Sequence, residues 1–279
     1  MKIAVYSRDG GALHDVRLSG MFERLGRKSF DFFEVSGDNT SLSDGDADMM
    51  ISVGGDGTFL SASQCVGRSG IPILGVNLGR LGFLSEYSPE EASDALLSGE
   101  WYLEDRALLS TCLSDESGSA AQIPGFRPYS LNEVSVHRSG AALVGVDVSI
   151  DGHHLPTYWA DGLLVATSSG STAYSLSVGG PICAPEAKVL IIAPIAPHNL
   201  NVRPLVVPDT TEIFLSMRSR DEKVMLSMDN RNHLVDASVA LEVKVAQFSL
   251  KRVRLNNSSF IKALTTKLFW GEDIRNSGE

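Results

Sequence analysis

The chain lacks any apolar run near the length of a membrane span, and no charged-then-apolar leader precedes its first strand pattern, Lys2-Ile3-Ala4-Val5-Tyr6. Neither a spanning helix nor export is predicted, and the expected location is cytoplasmic. Cysteine is scarce: Cys65, Cys112 and Cys183 are widely spaced, odd in number and without a CxxC. That spacing argues against a disulfide framework or a structural zinc site and leaves buried free thiols. Basic residues are in deficit, and a formal net charge of −10 argues against a nucleic-acid-binding surface. An anionic substrate would be repelled at long range, so local amides, a few basic side chains and a divalent cation, Mg2+ by preference, must neutralise it. His14, His137, His233 and the pair His153-His154 have no metal-ligand spacing, and surface positions are expected for them. No basic amphipathic segment that would dock on a bilayer is present, and no internal repeat.

What is there is 279 residues, 43% hydrophobic and 21% charged, enough for two domains with substantial cores. The first hundred residues alternate apolar runs with amphipathic stretches: Ile3 to Tyr6, His14 to Leu25, Met49 to Val53, Thr58 to Val66 and Ile71 to Val76. Such βα alternation predicts an α/β domain with a parallel sheet over residues 1–102. Ser88-Pro89-Glu90-Glu91 reads as a helix start and Gly99 as its stop. From Leu103 the pattern turns to short strands, including Ser130 to His137, Val144 to Ile150, Gly162 to Thr167, Val189 to Ala193, Glu212 to Met217, Val224 to Met228, Leu241 to Ala246 and Leu250 to Leu255. Asp151-Gly152 is a hairpin turn signal, and residues 103–256 are predicted to be an all-β domain. Residues 257–279 return to helical spacing, with Phe260, Ile261, Leu264, Leu268 and Phe269 on the apolar side.

The most informative residues are Gly54-Gly55-Asp56-Gly57-Thr58, between a buried-strand pattern and a helical one. Three glycines around one aspartate describe a tight loop that lets a ligand approach the backbone, and helix amides behind it favour an anion. A carboxylate would repel that anion unless a metal or a hydroxyl proton intervenes, so Asp56 reads as chemistry rather than binding. The bland alternative is an ordinary strand-to-helix turn. A second segment, Asp161 to Ser177 ending in Gly179-Gly180-Pro181, joins an apolar strand to a run of hydroxyls that no hydrophobic core needs. Something polar is expected to lie against them. Leu131-Asn132-Glu133-Val134 sets two polar side chains at a strand edge, able to read a base edge or ribose hydroxyls, or else merely to form a turn.

Taken with Pro197-His198-Asn199-Leu200-Asn201-Val202-Arg203-Pro204, these segments resemble the NAD kinase family in order and spacing, from about Ile3 to Phe269. The resemblance implies an α/β domain followed by an all-β domain, with a C-terminal helix returning to the first. It implies transfer of the ATP γ-phosphoryl group to the 2′-hydroxyl of the adenosine ribose of NAD, with Asp56 catalytic. Gly54, Gly55, Gly57 and Thr58 would lie against the phosphates. NAD would be held by Asn132, Glu133, Trp159, Asp161, Thr172, Ala173, Tyr174, Ser175, Leu176, Ser177, Ala196, Asp229 and Asn230. A homodimer or homotetramer is implied, with NAD and ATP as small-molecule partners. Trp159 stands where family members often carry arginine, which puts discrimination between oxidised and reduced NAD in doubt, and Ser168 replaces a common proline. The Gly54–Thr58 loop is shared with lipid kinases of the diacylglycerol or sphingosine type, the main alternative; a non-catalytic NAD-sensing subunit is another.

Overall fold

The computed structural model describes residues 1–37, 40–79 and 82–270, so the expected helical segment 257–279 lies outside the described residues beyond Trp270. The chain forms two compact units, one of Met1–Asp105 with Leu250–Glu279 and one of Arg106–Ser249. In the first, β1 (Lys2–Tyr6), β2 (Asp31–Val35), β3 (Met49–Val53) and β4 (Ile73–Val76) form a parallel sheet in the order β2-β1-β3-β4. Beyond Lys2, β1 is buried throughout, as is β3, which is why both read as continuous apolar runs. Helices α1 (Ser19–Gly26), α2 (Asp56–Val66) and α3 (Pro89–Ser98) alternate with the strands. At α3 the Ser88 hydroxyl accepts the Glu91 N–H, and the Glu91 carboxylate accepts the Ser88 N–H, a reciprocal cap ahead of Pro89. β2 was not foreseen, because Asp31 and Glu34 interrupt its apolar pattern at the sheet edge. The stretch from His14, which ends a 3-10 turn at Ala12–His14, becomes α-helical only at Ser19.

β5 (Trp101–Ser114) carries the chain into the second unit, which continues through β6 (Tyr129–Ser130), β7 (Glu133–Arg138), β8 (Val144–Ile150), β9 (His153–His154), β10 (Tyr158–Ala160) and β11 (Gly162–Thr167). A short α4 (Tyr174–Ser177) precedes β12 (Val189–Ile195), β13 (Leu205–Pro208), β14 (Ile213–Arg218), β15 (Lys223–Met228), β16 (Arg231–Asp236) and β17 (Ala240–Leu255). Six antiparallel strands run in the order β13-β12-β11-β7-β15-β16. Val134, Val136, Leu163, Val165, Leu190 and Ile192 from that sheet share one core with Val146, Val148, Ile213 and Leu215 from β8 and β14. Because side chains alternate along a strand, Glu133, Ser135 and His137 of β7 take the opposite face. There Ala166 and Leu164 of β11 stand beside Glu133 and Ser135.

The last residues of β17 belong to the first unit, where Arg252 pairs in parallel with Ile73 of β4, and α5 (Phe260–Leu268) follows. The patterns Leu241–Ala246 and Leu250–Leu255 are thus one strand rather than two. No helix among the described residues is long and apolar enough to cross a membrane.

Candidate functional site

In the first unit, β3 ends at Val53 and α2 begins at Asp56, with Gly55 as the N-cap. Gly54 has φ +143°, and a Cβ built on it would fall 2.4 Å from Thr58 Oγ1, so the turn needs glycine on both counts. The Asp56 carboxylate does not project into open space. Its Oδ2 accepts the Phe83 N–H at 2.8 Å, and its Oδ1 accepts those of Leu84 and Ser85 at 2.9 Å each. Gly82 lies so close that a Cβ there would fall 1.9 Å from Asp56 Oδ1. The loop after β4 therefore wraps the carboxylate with backbone donors. A carboxylate has about four lone-pair positions, so three amides leave roughly one, on Oδ2. Arg8, just past β1, brings Nη2 to 3.3 Å from where a Cβ on Gly57 would stand, placing a cation beside the loop. Neither Arg8 nor the Gly82–Ser85 loop was singled out from sequence; Gly79 and Gly82 just beyond a buried strand were the available signal.

In the second unit the structure brings Asn132, Glu133, Tyr174 and Asp229 together. The β15–β16 hairpin turns at Asp229, φ +52°, whose carboxylate accepts the N–H groups of Leu131 and Asn132 at 2.8 Å and of Glu133 at 3.3 Å. Asp229 thereby fixes the backbone that presents Asn132 and Glu133; Asn230 follows it, exposed. Glu133 is buried, and its Oε2 has no hydrogen-bond partner among the described residues. Burial and the Asp229 carboxylate push its carboxyl up to about 8, against a small opposing pull from the Tyr174 N–H. Burial also raises Asp229, in spite of its three amides. The Tyr174 ring stacks on His137, centroids 5.8 Å apart, and His137 Nε2 lies 2.8 Å from Ser135 Oγ. His137 is half-buried and His233 partly so, which corrects the surface expectation; His14, His153 and His154 are exposed.

Three hydroxyls of the run meet polar backbone groups of the protein itself. Thr167 Oγ1 donates to the Leu131 carbonyl at 2.6 Å, Ser168 Oγ to that of Pro185 at 2.8 Å, and Ser171 Oγ both donates to and accepts from the Cys183 backbone. These three hydroxyls tie segments distant in sequence to one another. Ser175 Oγ is buried without a partner among the described residues. Thr172 and Ala173 lead into α4, which carries Ser175, Leu176 and Ser177. Asp161 pairs with Arg138, Oδ1 to Nε 2.6 Å, and its N–H donates to the Ile195 carbonyl, one residue before Ala196. Ala196 is exposed with φ +46°. Trp159 sits opposite Gly145 in the β10–β8 ladder with its ring on that glycine, 3.0 Å from where a Cβ would stand, and remains 44% exposed. No group of three or more His, Cys, Asp or Glu able to hold a metal occurs among the described residues.

A glycine-rich loop cradling one aspartate, on a parallel α/β unit joined to an all-β unit, is the plan of a two-domain kinase, and comparison with known proteins agrees for both halves. Residues 23–98 match the ATP-NAD kinase N-terminal domain and residues 131–255 the ATP-NAD kinase C-terminal domain. An NAD kinase of Bacteroides fragilis is 44% identical over 234 residues, 82% of this chain and 79% of that protein. One from Cytophaga hutchinsonii is 41% identical over 249 residues, 88% of this chain and 82% of the relative. Among solved structures, an Archaeoglobus fulgidus NAD kinase in complex with ATP matches with TM-score 0.76 and 27% identity, over 96% of this chain and 99% of that one. Yeast NADH kinase complexed with NADH shares the fold, with TM-score 0.81 at 24% identity, over 99% of this chain and 90% of its own. The chain belongs to the NAD kinase family. Family membership sets the lipid-kinase alternative aside.

Proposed function

We propose that the chain phosphorylates NAD at the 2′-hydroxyl of its adenosine ribose with ATP as donor, and that Asp56 receives the proton. The observation carrying this reading is the Asp56 carboxylate held by three backbone amides with room for one further donor on Oδ2. A hydroxyl is the group that fills such a vacancy, since it brings a proton to share. As the ribose oxygen forms its bond to the γ-phosphorus, the bond from phosphorus to the bridging oxygen breaks and ADP leaves. The hydroxyl proton passes to Asp56. Phosphoryl transfer of this kind depends on in-line placement and charge neutralisation more than on covalent chemistry. Arg8 and the amides at the start of α2 are the groups of this unit suited to the phosphates.

A magnesium ion accompanying ATP would supply charge neutralisation at the transferred phosphoryl group, and such an ion asks for no more than about one or two protein carboxylates. For the acceptor, Asn132 and the protonated Glu133 offer hydrogen-bond donors suited to a base edge or ribose oxygens, and Tyr174 offers an aromatic face. Activity is tested by a coupled assay for NADP with NAD, ATP and magnesium. Asp56→Asn is expected to lower kcat by roughly a hundredfold or more while NAD affinity changes much less. Near-normal turnover of that variant would remove Asp56 from the chemistry.

A further inference from the structure

The loop that wraps Asp56 is itself held from the other end of the chain. Arg252, on β17 and 1% exposed at its side chain, donates through Nη2 to the carbonyls of Phe83 and Leu84, both at 2.9 Å. Lys267, in the last turn of α5, donates through Nζ to the carbonyl of Gly82 and lies 5.0 Å from the centre of the Phe83 ring. Gly82 N–H closes the turn on the Ser85 carbonyl at 2.9 Å. The amides of Phe83, Leu84 and Ser85 go to Asp56, while the carbonyls of Gly82, Phe83 and Leu84 go to two cations. Those two cations and Arg254 converge on one largely buried carboxylate: Glu86 lies 3.2 Å from Lys267, 3.2 Å from Arg252 and 3.6 Å from Arg254. Burial pushes Glu86 up, but the three cations outweigh it and hold the carboxyl below its usual range. Burial likewise lowers Lys267, opposed by Glu86 and by Asp56. Ala263, one turn earlier on the same face of α5, is buried, so helix packing aims Lys267 at the loop.

We propose that Lys267, together with Arg252, is a positioning residue for the phosphoryl-transfer step, fixing the Gly82–Ser85 backbone and through it the Asp56 carboxylate. The proposal rests on the reading of Asp56 as the proton acceptor. Neither cation touches substrate in this account; each acts on carbonyls whose peptide units present the amides that orient Asp56. If Lys267 is removed, the loop loses its hold at Gly82, where even a Cβ would collide with the carboxylate. Displacement by about 1 Å at a reacting group costs up to roughly a hundredfold in rate.

The test is a mutant cycle on the full chain, because Arg252 is too deeply buried to remove cleanly and Lys267 is not. Lys267→Met is expected to lower kcat by roughly ten- to a hundredfold with the Michaelis constants for NAD and ATP changed less than about threefold. Lys267→Arg should restore most of the rate, and Lys262→Met, an exposed lysine on the same helix, should leave kcat unchanged. In an Asp56→Asn background, Lys267→Met should add little further loss, since there is no longer a carboxylate to position. Equal loss in both backgrounds, no loss in the parent, or a loss equalled by Lys262→Met and tracking only a lowered melting temperature would overturn the proposal. A fully active Asp56→Asn variant would instead show that the reading of Asp56 had failed, and the positioning role with it.

Discussion

Asp56 and Glu133 are each the first residue of an element, one opening α2 and the other β7, and their surroundings are opposite. Asp56 is ringed by donors: three backbone amides on its oxygens and the Lys267 ammonium on the loop that supplies them. Glu133 is buried beside a second carboxylate, with one weak donor and one oxygen lacking a partner, and it keeps its proton up to about pH 8. On the proposed reading the two acids have complementary tasks. A carboxylate crowded by donors has room only for another proton-bearing group, which suits a hydroxyl about to be deprotonated. A carboxyl starved of donors becomes one itself, which suits acceptor atoms on a nucleotide.

Asp56→Asn removes one side of that contrast and carries the largest expected effect. Next comes Gly82→Ala. A methyl group 1.9 Å from Asp56 Oδ1 cannot be accommodated without displacing the carboxylate or the loop, so kcat should fall by roughly tenfold or more while the protein still folds. Steady-state kinetics together with circular dichroism check it, and a normal kcat would mean that the loop yields freely.

On the other side, Glu133→Gln copies the protonated acid. Its Michaelis constant for NAD at neutral pH should stay near the parent's. Above about pH 8 the parent's should rise by roughly three- to tenfold, while the variant's stays flat. The sign for stability is the same: a carboxyl raised from 4.5 to about 8 on folding contributes stability that is complete below about pH 4.5 and lost as pH rises through about 8. Melting temperatures between about pH 5 and pH 9 should therefore fall less steeply in Glu133→Gln. Parallel curves would mean that Glu133 is ionised throughout.

The smallest effect is expected at Trp159, whose ring rests on Gly145 and is partly exposed. If that open face meets the nicotinamide, the cationic oxidised ring gains about 0.5 to 2 kcal/mol over the neutral reduced one. Trp159→Ala should then narrow the ratio of specificity constants for NAD and NADH. An unchanged ratio with a lowered melting temperature would leave Trp159 as a cover for the sheet.

Local patterns carried much of this into view before the structure. The strand at Met49–Val53, the helix behind Asp56, the capped helix at Pro89 and the strands on both sides of Asp151-Gly152 follow from periodicity and turn chemistry acting over a few residues. What stayed hidden depends on partners distant in sequence. Nothing near Thr167, Ser168 and Ser171 shows that the carbonyls of Leu131, Pro185 and Cys183 will be the polar groups lying against their hydroxyls. His137 looked superficial because alternation in β7 indicates a face, not what packs on it, and the packing comes from Tyr174. The Gly82–Ser85 loop has no side chain that announces its role, which is carried by backbone amides.

The cradle of Asp56 also has a place in time. Lys267 and Gly82 are 185 positions apart, and Arg252 and Phe83 are 169 apart, so these contacts close very long loops. Contacts of such separation form late, after nearby pairings have reduced the entropy of closure. A chain growing from its N-terminus has Asp56 and its glycines well before Arg252 and Lys267 arrive. The strand-to-helix turn is local and can form first, while the bonds that fix its carboxylate wait for partners far along the chain.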